Sequence, residues 1–163
     1  MLRLGLFLSA VLYANAFLAN TNDECTQEAE NYHTGSNSCY MVPLGELQTW
    51  NGAQTFCKGR GGDLASIPSQ SAQDFVEALI EKLNPVAKDN ALFININSVG
   101  SSAEGWMDGE TSTYRHWAGG RDKGPWSTSR PTGCMLVRPD DSKYFWTGCY
   151  YNWPMEFICR FKK

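Results

Sequence analysis

The chain has 163 residues, with 14 Lys and Arg against 17 Asp and Glu, a length that suits one domain and a net charge of −3 that supplies no phosphate-neutralising field for nucleic acid. Apolar residues make up 42% and charged residues only 19%, so there is enough apolar side chain to fill a core and too little charge to keep the chain expanded. Disordered and collagen-like chains are thereby excluded.

Residues 1–16 (MLRLGLFLSAVLYANA) place Arg3 before an apolar run and end in Ala14-Asn15-Ala16, the small-x-small pattern of a secretory signal peptide. The run falls short of the roughly 20 apolar residues of a spanning helix, so cleavage is expected and no membrane span. Residues 17–24 read as a polar lead-in, and one domain is expected over 25–163. Cys25, Cys39, Cys57, Cys134, Cys149 and Cys159 all follow the signal, in an oxidising compartment where disulfides are the default. A zinc site is disfavoured, because no C-x-x-C pair exists and His33 and His116 stand alone. Arithmetic leaves the pairing open among about 15 connectivities.

Tyr40-Met41-Val42 predicts a short strand ending at Pro43. From Trp50 to Arg60, the apolar spacing of Trp50, Ala53, Phe56 and Cys57 predicts an amphipathic helix stopped by Gly61-Gly62. Ser71 with Asp74 three residues on resembles a capping box, and Phe75, Val76, Leu79, Ile80 and Leu83 supply the buried stripe of a second helix ended by Asn84-Pro85. Leu92, Ile94 and Ile96 alternate with Phe93, Asn95 and Asn97, predicting a strand covered on one face. Ser98 to Gly133 is rich in Gly, Ser, Thr, Pro and Trp without either period and reads as a long functional loop. Cys134–Val137, Tyr144–Trp146 and Phe157–Cys159 read as strands, with a turn at Pro139-Asp140-Asp141.

Trp50, Ala53 and Cys57 in W-x-x-A-x-x-x-C, then GGDLASI (Gly61 to Ile67), GWMDG (Gly105 to Gly109) and the Cys134…Cys149…Cys159 tail ending in FIC resemble a C-type lectin-like domain over Cys25 to Phe161. The resemblance implies an α+β double-loop fold with two helices, two small antiparallel sheets and a long irregular loop that carries ligand binding. It also implies the disulfides Cys57–Cys159, Cys134–Cys149 and Cys25–Cys39.

One family feature is missing. In calcium-dependent sugar-binding members, Glu-Pro-Asn or Gln-Pro-Asp follows the Tyr-x-x-Trp segment and Trp-Asn-Asp lies in the next strand, giving a hard cation its oxygen shell. Here Trp117 is followed by Ala118-Gly119-Gly120-Arg121-Asp122-Lys123, and Trp146 by Thr147-Gly148. Like charges 4 Å apart repel by about 4 kcal/mol at an effective dielectric of 20, and a divalent ion doubles that, so Arg121 and Lys123 oppose the cation. No cofactor is expected. An auxiliary calcium site on Glu104, Asp108, Glu110, Asp122, Asp140 or Asp141 is not favoured.

The candidate ligand-binding residues in the loop are Trp117, Arg121, Asp122, Lys123, Trp126 and Arg130. Tyr150, Tyr151 and Trp153 are further aromatics near it, and Arg115 and Arg138 further cations. Flat rings stack on sugars or anchor interfaces, and Arg grips carboxylate or sulfate with two prongs. Trp106 and Trp146 are assigned to the core. Nothing sets a nucleophile beside a base, so no enzyme is expected. The expected partner is an extracellular glycan or glycoprotein, with a protein or mineral-matrix partner as the alternative.

Overall fold

The computed structural model describes residues 25–27, 29–83, 91–97, 105–119, 129–137 and 144–163. The expected signal peptide and lead-in, the expected turn at Pro139–Asp141 and part of the long loop lie outside the described residues. In chain order the elements are β1 (Tyr32–His33), β2 (Ser38–Met41), α1 (Trp50–Lys58), β3 (Asp63–Leu64), α2 (Gln70–Leu83), β4 (Leu92–Asn97), β5 (Gly105–Trp106), β6 (Thr132–Val137), β7 (Tyr144–Cys149), β8 (Glu156–Phe157) and β9 (Cys159–Lys162). One sheet has the order β1-β2-β9-β3; the other runs β5-β4-β6-β7, with β8 also on β4. All pairs are antiparallel except the short β4–β8 pair.

Helix α1 begins where the Thr49 side chain accepts a hydrogen bond from the Gly52 amide at 3.2 Å, and it buries Trp50, Ala53 and Cys57 as their spacing predicts. It ends two residues before Arg60. Helix α2 is capped differently from the sequence expectation. Ser69, not Ser71, takes the Ala72 amide at 3.2 Å, while Ser71 Oγ meets His33 Nε2 at 2.9 Å and Asp74 accepts from Gln70. The Ser71–Asp74 spacing fits a box, but the first helical residue lies one position before it. Ala72, Val76, Leu79 and Ile80 form the buried stripe, joined by Gln73.

Strand β4 is covered on both faces, where its alternation suggested one. Leu92, Ile94 and Ile96 enter the cluster with Val76 and Ile80, Phe93 enters a second cluster with Trp50 and Phe157, and Asn95 is buried with its amide donated to Asp63 at 3.1 Å. Burial raises the Asp63 carboxyl above its ordinary range, against the opposing pull of a hydrogen bond from Gln54 and the Lys58 charge. The β4–β6 register slips between Phe93 and Asn97, where Gly133 faces Ile96 so closely that a Cβ would lie 2.0 Å from Ile96 Cγ2.

The expected Phe157–Cys159 strand is two strands in two sheets. Phe157 pairs with Phe93 on β4, Cys159 pairs with Met41 and Leu64, and Ile158 stands at the crossing, donating to Phe93 O at 3.2 Å and accepting from the Ala65 amide at 2.8 Å. The disulfides are Cys25–Cys39, Cys57–Cys159 and Cys134–Cys149, the pairing the resemblance implied. In a chain-entropy account, the link spanning 102 residues restricts the unfolded chain by about 4.7 kcal/mol and the shorter two by about 3 each.

Candidate functional site

The long loop departs from β4 and returns to β6, and one described stretch of it, 105–119, folds onto Trp146. Trp146 is fully buried and takes four rings edge-on, with Trp106, Tyr114 and Trp117 at 5.5, 5.6 and 5.7 Å between centroids and His116 at 6.4 Å. Its indole N–H donates to Gln73 Oε1 at 2.9 Å, which ties the hub to α2. A backbone bridge adds to this. The Ala118 amide donates to Trp146 O at 3.0 Å, and the Trp146 amide to His116 O at 2.8 Å. Tyr114 Oη donates to Gln70 Oε1, and burial, with the charges of Asp74 and Glu77, pushes its hydroxyl up to about 12, so it remains a donor.

The start of the same segment is pinned to the first sheet by charge. Arg160, 4% exposed, donates to Glu110 Oε2 at 2.9 Å and to Ser38 Oγ at 2.9 Å, with Ser66 Oγ also on Nη1. Ser66 Oγ donates to Asp108 Oδ2 at 2.6 Å, and Lys162 Nζ lies 3.0 Å from the same oxygen. Burial pushes the Glu110 carboxyl up, but hydrogen bonds from Arg160 and the Ser112 amide, with the Arg160 charge, more than offset it, leaving it below its ordinary value. Asp108 and Glu110, two of the acids weighed for an auxiliary calcium, are thus engaged by cations and hydroxyls of the fold. Arg115 folds back onto the Ser112 and Tyr114 carbonyls, over the Trp106 ring.

Among the expected ligand residues, Trp117 is a correction. It is 4% exposed with its ring against Trp146, because the backbone bridge to β7 draws it into the hub, so it has no face to offer a ligand. Trp106 and Trp146 are in the core as expected. Arg121, Asp122, Lys123, Trp126 and Arg138 lie outside the described residues. Arg130, at the loop's return, is exposed; its guanidinium carbon is 4.8 Å from the Tyr150 ring centre and Nη2 donates to Tyr150 Oη at 3.2 Å. Tyr150 stacks on Trp153, so Arg130 is brought together with two aromatics that the sequence only placed nearby. Strand β6 starts at Thr132, which makes Gly133 a strand residue and not the last residue of the loop.

In β7, Thr147 and Gly148 pair with Cys134 and Gly133. Neither brings a carboxylate to the positions where calcium-binding members carry Asn-Asp. Among the described residues, no group of three or more His, Cys, Asp and Glu side chains converges. A cavity of about 500 Å³ lies elsewhere, between α2 and β2, walled by Tyr40, Val42, Phe75 and Leu79, with the Lys82–Glu30 ion pair among its lining residues. None of its described lining residues belongs to the long loop.

The family model for the lectin C-type domain matches residues 46–161, and the chain belongs to this family. C-type lectin 9a of Crotalus adamanteus is 30% identical over 128 residues, which cover 76% of this chain and 74% of that protein. One chain of the snaclec coagulation factor IX/factor X-binding protein of Echis carinatus is 28% identical, over 74% of this chain and 89% of that one. Among solved structures, the C-type lectin domain of murine dendritic cell inhibitory receptor 2 in complex with N-glycan shares the fold, with a TM-score of 0.66 at 20% identity, covering 83% of this chain and 98% of that one.

Proposed function

We propose that the chain is a secreted, non-enzymatic domain that binds an extracellular glycan or glycoconjugate through the long loop, without the usual calcium-bridged sugar site. Removal of residues 1–16 as a leader fits the three disulfides, which form and persist in oxidising compartments. The observation that carries the reading is the anchoring of the loop base. The Trp146 hub and the Arg160–Glu110 pair hold 105–119 to both sheets, so this part of the loop is presented on a fixed base, the condition for binding at low ordering cost. The solved murine relative was captured with N-glycan on the same fold. A second reading, a protein-interaction or matrix role independent of calcium, draws on the factor-binding snaclec relative and on the exposed apolar side chains Leu47 and Met107.

Titration of the mature chain against neutral and sulfated glycans, in calcium and in chelator, tests this. The expected outcome is binding that chelation leaves unchanged. Binding abolished by chelator overturns the calcium-free mode, and no binding in either condition overturns the glycan reading in favour of a protein or mineral partner.

A further inference from the structure

Trp153 is 59% exposed in a chain whose other described tryptophans are at most 7% exposed, and it lies outside the long loop, in the turn between β7 and β8. Its ring is held. Tyr150 stacks on it at 4.7 Å with 25° between the planes. The turn backbone is fixed at three points, with the Trp50 amide donating to Tyr151 O at 2.9 Å and Gln48 and Met155 exchanging hydrogen bonds of 3.0 and 2.9 Å. Exposing an indole forgoes burial of a large apolar surface, and its rigid mounting removes the rotamer entropy that binding would otherwise have to overcome.

The chemistry beside it is cationic. Arg130 reaches the same Tyr150 from the loop side, with its guanidinium over the ring and Nη2 oriented by the phenol oxygen. Since Arg130 and Trp153 each lie within 5 Å of the Tyr150 ring centre, cation and indole are less than about 10 Å apart, the reach of a disaccharide. A flat π face accepts the C–H face of a pyranose, and a forked guanidinium accepts a carboxylate or sulfate in two-pronged fashion. With a net chain charge of −3, the preference for an anion has to come from this local contact and not from the overall field.

We propose that Trp153, Tyr150 and Arg130 form a saccharide subsite independent of calcium and selective for anionic sugars, with one ring on the Trp153 indole and its acidic group on Arg130. This rests on the glycan reading above and joins the turn between β7 and β8 to the loop residue Arg130, together with a ligand class. Arg130 and Trp153 touch the ligand; Tyr150 is a positioning residue that aims the guanidinium.

The test uses the mature, disulfide-bonded protein in chelator, with hyaluronan hexasaccharide (carboxylate only), chondroitin 4-sulfate hexasaccharide (carboxylate and sulfate) and chitohexaose (uncharged). Calorimetry measures affinity, and the indole N–H resonances of an ¹⁵N-labelled sample report the place of binding. The anionic probes are expected to shift the Trp153 resonance and bind at least fivefold more tightly than chitohexaose. Equal affinity for the two acidic probes identifies carboxylate as sufficient, and preference for chondroitin identifies sulfate. W153A should lose at least tenfold and R130K at least fivefold in affinity, whereas Y150F should lose about threefold for the acidic probes and leave chitohexaose unchanged. Equal binding of chitohexaose, or full acidic-probe affinity in W153A, overturns the subsite. If W126A abolishes binding while W153A retains it, the loop reading stands and the subsite falls; if no glycan binds the unaltered protein, both fall.

Discussion

One aromatic cluster anchors the long loop and another lies beside its return, and they use their rings in opposite ways. Trp106, Trp117 and Tyr114 meet Trp146 edge to face, and the three tryptophans are at most 7% exposed; Tyr150 and Trp153 meet in parallel, and Trp153 presents more than half its surface to solvent. Edge-on contacts around a satisfied indole N–H build a buried anchor for the loop. A parallel pair on a backbone-fixed turn builds a displayed face. Ring count near a loop therefore does not identify a ligand site; what each ring's backbone is tied to decides it.

Removing the centre of the buried cluster should have the largest effect. Trp146→Ala empties a fully enclosed indole site and leaves Gln73 Oε1 without its donor, so a loss of about 3–5 kcal/mol is expected, measured by denaturant unfolding. Next comes the charge that fastens the loop base. Glu110→Gln leaves the buried Arg160 without its anionic partner, and with Glu110 partly solvent-exposed a loss of about 2–3 kcal/mol at neutral pH is expected. The sign of the pH dependence is set by the depressed Glu110 pKa. Its contribution is fully present above the unfolded value near 4.5 and is lost as pH falls through the lower folded value, so the gap between the native protein and the variant should close in acid. The displayed cluster should respond least: Trp153→Ala should change stability by no more than about 0.5 kcal/mol in the same unfolding measurement, because its surface is already in water.

The contrast between the clusters is only partly legible in the sequence. Both helices and most of their buried faces follow from the apolar period, and the cysteine pairing follows from family resemblance and not from arithmetic. Trp117 reads as a ligand residue because nothing local to it announces a bridge to Trp146, far along the chain. The second buried face of β4 is hidden for the same kind of reason, since Phe93 and Asn95 are covered by α1, β3 and β8, elements distant in sequence. Ser71 mimics a cap because spacing does not reveal that its hydroxyl is taken by His33. Burial and the Arg160 charge hold that imidazole below its ordinary pKa, in keeping with its Nδ1 accepting from the Ser36 amide.

The division of residues 156–162 between two sheets, with Ile158 at the crossing, orders the folding of the nascent polypeptide. Phe157 lies on β4 in one sheet, Cys159 to Lys162 occupy an interior position in the other, and Lys163 exchanges hydrogen bonds with Asn37. Every other strand of both sheets is synthesised before these residues, so neither sheet reaches its final form until they have left the ribosomal tunnel. A nascent chain arrested before Glu156 should remain protease-sensitive, with Cys57 still waiting for its partner.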